Sequence, residues 1–443
     1  MRLLRFLSVL LAVGLLASAC GGDDAAETTD AESAATTETT AAETTTTAED
    51  TTTTAAEEEE DPLADVVREA GDLVIWADDK RAPALRPFAE QFGEDNGITV
   101  VVQELVPFED IDDRVTVAGP AGEGPDIFVG AHDQLGGLVA SGIVAPVDLG
   151  AKASLYAPAA TAALNYDGAN YGLPYSIENI ALIRNTDLVP EAPATWAELE
   201  EIALGLQADG TVEVPLAIQE APGDPFHNMP LFTAFGGYVF GENADGSLNP
   251  DDVGIDSPGG LAAAEAFGRW SESGLINGDL DYTQMLDSFG TGQAPFAITG
   301  PWAIPDFGDV NFVVEPFPTV DGGEARPFVG VQALMVSAFA ENPLLAQTFL
   351  LDFMATEEAA LALFDVDPRP PALLSALEQV SSDPNILGFG EAGKNGTPMP
   401  AIPEMGSVWQ AWTDAYELIF TGEDPDAAFT GAAEQIRNLI AEG

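Results

Sequence analysis

The sequence predicts an α/β fold in two lobes around a cleft, and three observations point there. At 443 residues the chain is too long for one ordinary hydrophobic core. Short apolar runs bounded by turn formers alternate with helical patterns, which implies strand–helix–strand units and a mostly parallel sheet. Two apolar strands, Ala181-Leu182-Ile183 soon after Tyr175-Ser176 and Phe328-Val329-Gly330-Val331 much later, mark places where the chain crosses between lobes. Each lobe is therefore expected to be discontinuous.

Charge removes whole classes of function. The formal net charge is −60, so the phosphates of a nucleic acid would be repelled. Docking on anionic lipid by charge is excluded for the same reason.

The N-terminus reads as a secretory signal. Arg2 and Arg5 precede an apolar run over residues 6–16 that is too short to span a bilayer. Ala17-Ser18-Ala19 leads to Cys20, the single cysteine of the chain, which has no internal partner for a disulfide. This is a lipobox-like cleavage site, with Ala17 where such sites usually carry Leu, and Cys20 is expected to be lipidated. Residues 23–61 are almost wholly Thr, Ala, Glu and Asp, with 14 acids and no base. Such a stretch cannot bury enough apolar surface to offset ordering, so residues 21–61 read as a flexible, self-repelling tether.

From Pro62 the composition becomes globular. Residues 65–69 read as a short helical lead-in and Leu73-Val74-Ile75-Trp76 as a buried strand. Asp78-Asp79-Lys80-Arg81 follows at that strand's carboxyl end, where open α/β sheets place ligands. Residues 84–92 have helical periodicity and residues 98–102 form the next strand. Asp126-Ile127-Phe128-Val129 is another buried strand, and Gly130-Ala131-His132-Asp133 reads as the loop leaving it. Asp133 is placed to aim a carboxylate into a crevice, where it could accept two sugar hydroxyls; alternatively it caps the helix that follows. Asp224-Pro225-Phe226 reads as a loop before His227. Thr195 with Glu198 is a capping-box signature. Residues 344–354 and 408–420 read as amphipathic helices, and no internal repeat is evident.

Several stretches, in order and at matching spacing from about Gly71 to the C-terminus, resemble the maltose/maltodextrin-binding proteins of ABC importers. They include Gly124-Pro125-Asp126-Ile127-Phe128-Val129, Gly172-Leu173-Pro174-Tyr175, Gly236-Gly237-Tyr238, Thr299-Gly300-Pro301-Trp302, Pro327-Phe328-Val329-Gly330-Val331 and Met399-Pro400-Ala401-Ile402-Pro403. The resemblance implies a two-lobed, periplasmic-binding-protein-like fold joined by hinge crossings. One lobe is expected over 66–177 plus 331–380, the other over 179–328 plus 386–443. It further implies a monomer without cofactor that closes around an α-linked oligosaccharide and delivers it to a membrane permease. The lipid anchor would hold it on the outer face of the cell membrane or in the periplasm.

A sugar site mixes aromatic rings, which lie against the apolar C–H faces of a pyranose, with polar groups for the hydroxyls at its edge. Trp302 follows a Gly-Pro turn and Trp409 follows a Pro-rich stretch, both outside core-like contexts; the two match the family's stacking tryptophans. Asp224-Pro225-Phe226 resembles its acid-Pro-aromatic contact, with Glu220 as the alternative acid. Glu178, the pair Asp79 and Lys80, Asp112, Asp133 and Met399 complete the contacts the resemblance implies. The departures lie at Gly130, where the family often has Trp, and at Gln134 and Thr413, each in place of an Arg. They imply a roomier pocket on that side.

Catalysis and metal binding find little support. The turn around Gly246 does not fit a calcium loop, whose first and twelfth positions would fall on Gly241 and Asp252 rather than on an acid and a Glu. His132 and His227 are the only histidines and lie far apart in sequence, against a zinc or His-based hydrolytic site. A secreted glycoside hydrolase using the same acids is the alternative from another class, since it needs two facing carboxylates; a sensor-coupled sugar receptor is a third reading. No nucleophile elbow, P-loop or dinucleotide motif is present.

Overall fold

The computed structural model describes residues 67–442. The expected signal, Cys20 and the tether lie outside the described residues. The part of the lead-in that is described, residues 67–69, is not helical. Arg68 is instead tied to the carbonyl of Gly124 and to Asp126 at 2.7 Å, which lays the chain along the sheet.

The architecture is mixed α/β with several sheets and many helices. Leu73–Ala77 is buried at every position, as a strand covered on both faces must be. Val100–Glu104 and Ile127–Ala131 flank it in parallel. The helix Arg81–Asn96 makes the first crossover and ends at Gly97, whose φ of 66° is the left-handed cap that glycine adopts without strain. Phe328–Ser337 then runs antiparallel to both Ile127–Ala131 and Leu173–Glu178. Val144–Ala145 and Thr397–Pro398 complete a seven-stranded sheet.

Just beyond Glu178 the chain enters a different sheet. Ala181–Asn185 pairs antiparallel with Phe296–Thr299 and with Phe312–Glu315. The expectation of a mostly parallel sheet thus holds around Leu73–Ala77 and, briefly, where Phe328–Ser337 meets Thr397–Pro398, while the other pairings named here are antiparallel. Antiparallel strands need no crossover helix between them, so distant segments can return directly against Ala181–Asn185.

Buried apolar side chains group accordingly. One cluster draws on residues 73–175 and 331–376. A second draws on 180–328 and 399–436, and a smaller third joins 181–314 to Phe389 and Ala392. The strand Phe328–Ser337 serves both large clusters: Phe328 belongs to the second and Val331 to the first. Among the described residues no helix is long and apolar enough to cross a membrane.

Local chemistry accounts for most element ends. Thr195 accepts the Glu198 amide at 3.2 Å, while the Glu198 carboxylate returns to the Ala194 amide rather than to Thr195 itself. The expected helix over 344–354 is Pro343–Thr348 followed by a wider π-helical turn, Phe349–Met354. The turn at Gly246 closes a hairpin between Phe240–Glu242 and Leu248–Val253.

Candidate functional site

A cavity of about 670 Å³ lies where elements of the two large clusters meet. That volume falls within the roughly 300–1,000 Å³ of ligand pockets. Asp79, Lys80, Asp112, Asp133 and Glu178 line it from one side of the chain; Asp224, Phe226, Trp302, Met399 and Trp409 line it from the other. Of the expected contact residues only Pro225 is absent, being buried at the first position of the helix Pro225–Ala234.

The strand Ile127–Ala131 runs two residues further than its apolar core suggests, so Gly130 and Ala131 are strand rather than loop. A short 3₁₀ turn, His132–Gln134, then carries Asp133 into the cavity. Asp133 makes no side-chain cap to the following helix Leu135–Ala140. Its carboxylate accepts from Gln134 Nε2 at 2.9 Å. His132 is buried and locked: Nδ1 accepts the Val331 amide at 3.1 Å, so Nε2 carries the proton and donates to the Met399 carbonyl, 3.2 Å away. Burial lowers its pKa and keeps it neutral.

Gly130 leaves room for Asp112. A Cβ at position 130 would stand 2.7 Å from Asp112 Oδ1. That oxygen is buried with no protein hydrogen-bond partner. Burial and the nearby Asp133 push the Asp112 carboxyl well above the usual range. Burial raises Asp133 too, with His132, Gln134 and Trp409 acting against it.

Asp224 is not in a loop, as its sequence suggests, but is the N-cap of Pro225–Ala234, accepting the His227 amide at 2.9 Å. An acid before Pro is as apt a helix start as a turn, because Pro suits the first helical position. Its other oxygen takes His227 Nδ1 at 2.9 Å and Gln219 Nε2 at 2.5 Å. Burial opposes its ionisation, but His227 and these hydrogen bonds hold the carboxyl below the usual range. Glu220 faces a separate cavity of about 570 Å³. It bonds Asn228 Nδ2 at 2.9 Å, and burial followed by Asp224 pushes its carboxyl well up.

Glu178 ends its strand opposite Gly330, where a Cβ would meet Glu178 Cγ at 2.8 Å. It accepts Gln332 Nε2 at 2.9 Å and pairs with Arg369. Arg369 also pairs with Asp367, which Arg81 reaches at 2.8 Å. Both guanidiniums outweigh the burial that opposes ionisation of Asp367 and hold it low. Trp302 sits in the 3₁₀ turn Pro301–Asp306, Trp409 at the start of Trp409–Phe420. Chemically the site offers five partly exposed aromatic rings, Phe108, Phe226, Tyr282, Trp302 and Trp409, and carboxylates on several sides. Among the described residues no group of three or more His, Cys, Asp or Glu side chains could hold a metal ion.

A family model described as bacterial extracellular solute-binding protein matches residues 88–388. The chain belongs to this family. Among the relatives of this solute-binding protein is a galactooligosaccharide-binding protein of Bacillus subtilis, 29% identical over 84% of this chain and 90% of its own length. A maltotriose-binding protein of Pyrococcus abyssi is 30% identical over 81% and 79% respectively. A maltooligosaccharide ABC transporter solute-binding lipoprotein of Streptococcus pneumoniae is 26% identical over 84% and 90%. All three are named as binding proteins, none as an enzyme.

Sequence reasoning misses part of this solute-binding protein's cavity. Arg81, His227, Gln332 and Arg369 also line it. Arg81 and His227 directly follow the candidates Lys80 and Phe226, whereas Gln332 and Arg369 adjoin none. The one available signal for Arg369 is its setting, Asp367-Pro368-Arg369-Pro370-Pro371, a charged residue in a stiff segment that does not fit a core. Thr413, one of the departures, does not line the cavity; Gln134 does.

Proposed function

We propose that this solute-binding protein captures maltodextrin-like, α-linked oligosaccharides outside the cell and hands them to an ABC import permease. One observation carries the reading: the cavity brings Phe226, Trp302 and Trp409 together with Asp79, Asp112, Asp133 and Asp224. Rings for pyranose faces and acceptors for hydroxyls are what a sugar requires. The names of the relatives support the same class of ligand. An acid excess in the cavity favours a neutral ligand over uronic or sulfated sugars.

In this reading the two large clusters are the cores of two lobes, 66–177 plus 331–380 and 179–328 plus 386–443. They close about the crossings near Glu178 and Phe328 when sugar binds. Closure shifts a pre-existing equilibrium by the sugar's preference for the closed form, and the closed form is what the permease accepts. Cys20 carries the lipid anchor and the acidic tether spaces the lobes from the membrane.

A thermal-shift screen with maltose, maltotriose, longer maltodextrins and galacto-oligosaccharides tests the ligand class. A ligand present at about 100 times its Kd adds roughly 2.7 kcal/mol of stability. A rise with maltodextrins and none with unrelated neutral sugars is expected; no rise with any oligosaccharide refutes the proposal. Cys20→Ser is expected to release the protein from the membrane fraction.

A further inference from the structure

Trp302 is confined on several sides. Its ring folds back over Gly300, where a Cβ would overlap the six-membered ring of the indole, so residue 300 has to be bare. Lys80 Nζ donates to the Trp302 carbonyl at 3.4 Å. His227 stands edge-on at 5.9 Å and Phe226 is tilted at 6.1 Å. Over the ring itself lies Arg369, its Cζ 4.9 Å from the centroid, within cation–π range.

Arg369 is held more firmly than a cavity side chain usually is. It is 8% exposed. Its Nε donates to Glu178 and its Nη1 to Asp367. Pro368 on one side and Pro370-Pro371 on the other fix the backbone φ angles around it. The Ile177 amide donates to the Pro370 carbonyl and the Ala372 amide to the Tyr175 carbonyl, both at 2.9 Å, fastening the segment to the seven-stranded sheet. Trp302, by contrast, follows Phe296–Thr299 of the three-stranded sheet. The stack therefore joins a guanidinium set by one sheet to an indole set by the other.

We infer that Arg369 is a positioning residue: it packs over Trp302, fixes the ring plane and limits the partly exposed indole to stacking with one sugar ring in one orientation. A guanidinium pinned by two carboxylates cannot swing away to make room, so the pyranose stacks on the part of the indole that Arg369 and Gly300 leave exposed, with its hydroxyls turned to the acids. The part concerning sugar rests on the sugar-capture reading; the part concerning the ring does not.

The test uses the full chain and three variants, Arg369→Lys, Arg369→Met and Trp302→Phe. The signal of Trp302 is isolated by repeating each Arg369 variant with Trp302→Phe and taking the difference in emission. Acrylamide quenching of that signal reads ring order, and calorimetric titration with maltotriose and with a galactotriose reads binding. Arg369→Lys keeps a charge against Glu178 and Asp367 and is expected to melt close to wild type, so it serves even where Arg369→Met does not fold. If Arg369 merely neutralised the carboxylates, Lys would restore melting, quenching and affinity together. Arg369→Lys is instead expected to raise Trp302 quenching and to weaken maltotriose binding by about 2- to 30-fold, the range a cation–π contact spans. Wild-type quenching in Arg369→Lys overturns the inference, as does raised quenching with unchanged maltotriose affinity. If the wild-type protein binds neither sugar, the sugar reading fails, and the quenching comparison alone decides the role of Arg369.

Discussion

In the proposed function the rings of Trp302 and Trp409 are the ligand surface, so removing either should cost binding without unfolding. Neither indole is fully buried, and each sits in a turn or at a helix start rather than in a core layer. Trp302→Ala and Trp409→Ala are each expected to lose about 1–3 kcal/mol of sugar affinity, read by calorimetry, with melting little changed. These residues are legible in the sequence because Gly-Pro and Pro-rich punctuation marks non-core positions. Arg369 and Gln332 are not, because their partners Glu178 and Trp302 meet them only through tertiary approach. A second residue-scale outcome concerns Glu220, whose folded pKa is raised by burial and by Asp224. A raised carboxyl contributes stability that is complete below its unfolded value and is lost as pH rises through the folded one. Glu220→Gln removes that loss while its amide oxygen still accepts from Asn228. The variant is expected to melt higher than wild type at pH 8 and about equally at pH 4. Equal melting at both pH values would show that Glu220 is not held neutral.

Helix seating decides how well the cavity wall is placed. Leu135–Ala140 lies directly against residues 401–403, where a Cβ on Gly136 would come within 2.5 Å of the Ala401 carbonyl and of Ile402 and Pro403 backbone atoms. None of these can yield as a flexible side chain would. Gly136→Ala is therefore expected to cost about 1–3 kcal/mol of stability, as overpacking does, and to weaken sugar binding, because Asp133 and Met399 flank the displaced contact. Gly137→Ala is the control: nothing lies within 4 Å of its Cβ, and alanine in a helix is better than glycine by about 0.5–1 kcal/mol. Denaturant melts of the pair separate crowding from propensity. At this scale the apolar strands are legible from short runs of Val, Ile and Phe. The start of the helix Pro225–Ala234, capped by Asp224, reads as a loop because Asp-Pro signals turns and N-caps alike. The antiparallel sheet is not legible, since nothing local in Ala181–Asn185 names strands more than a hundred residues later.

For the whole molecule the dominant quantity is charge. The chain carries 74 acids, 14 of them within residues 23–61, against 14 Lys and Arg, two of which are Arg2 and Arg5. Self-repulsion on that scale destabilises a compact state, and the Debye length falls from roughly 8 Å at about 0.15 M salt to roughly 3 Å at about 1 M. A chain beginning at Asp61 is expected to melt higher as sodium chloride rises from about 0.01 to 1 M. A flat or falling melting temperature would leave the acidity as a solubility feature. Net charge and length are plain in the sequence. So are the apolar runs at 181–183 and 328–331, which the structure makes into the strand Ala181–Asn185 and the start of Phe328–Ser337.

One strand ties the calorimetry of this protein to its topology. Phe328–Ser337 puts Phe328 in one core and Val331, Leu334 and Val336 in the other, and it cannot fray at one end without unseating residues at the other. Two independent cores of this size would denature as separate transitions, yet a shared strand links their enthalpies. Differential scanning calorimetry of the sugar-free protein should show one endotherm whose van't Hoff and calorimetric enthalpies agree. Val331→Pro removes the amide that His132 accepts and breaks the shared strand. It should resolve that endotherm into two.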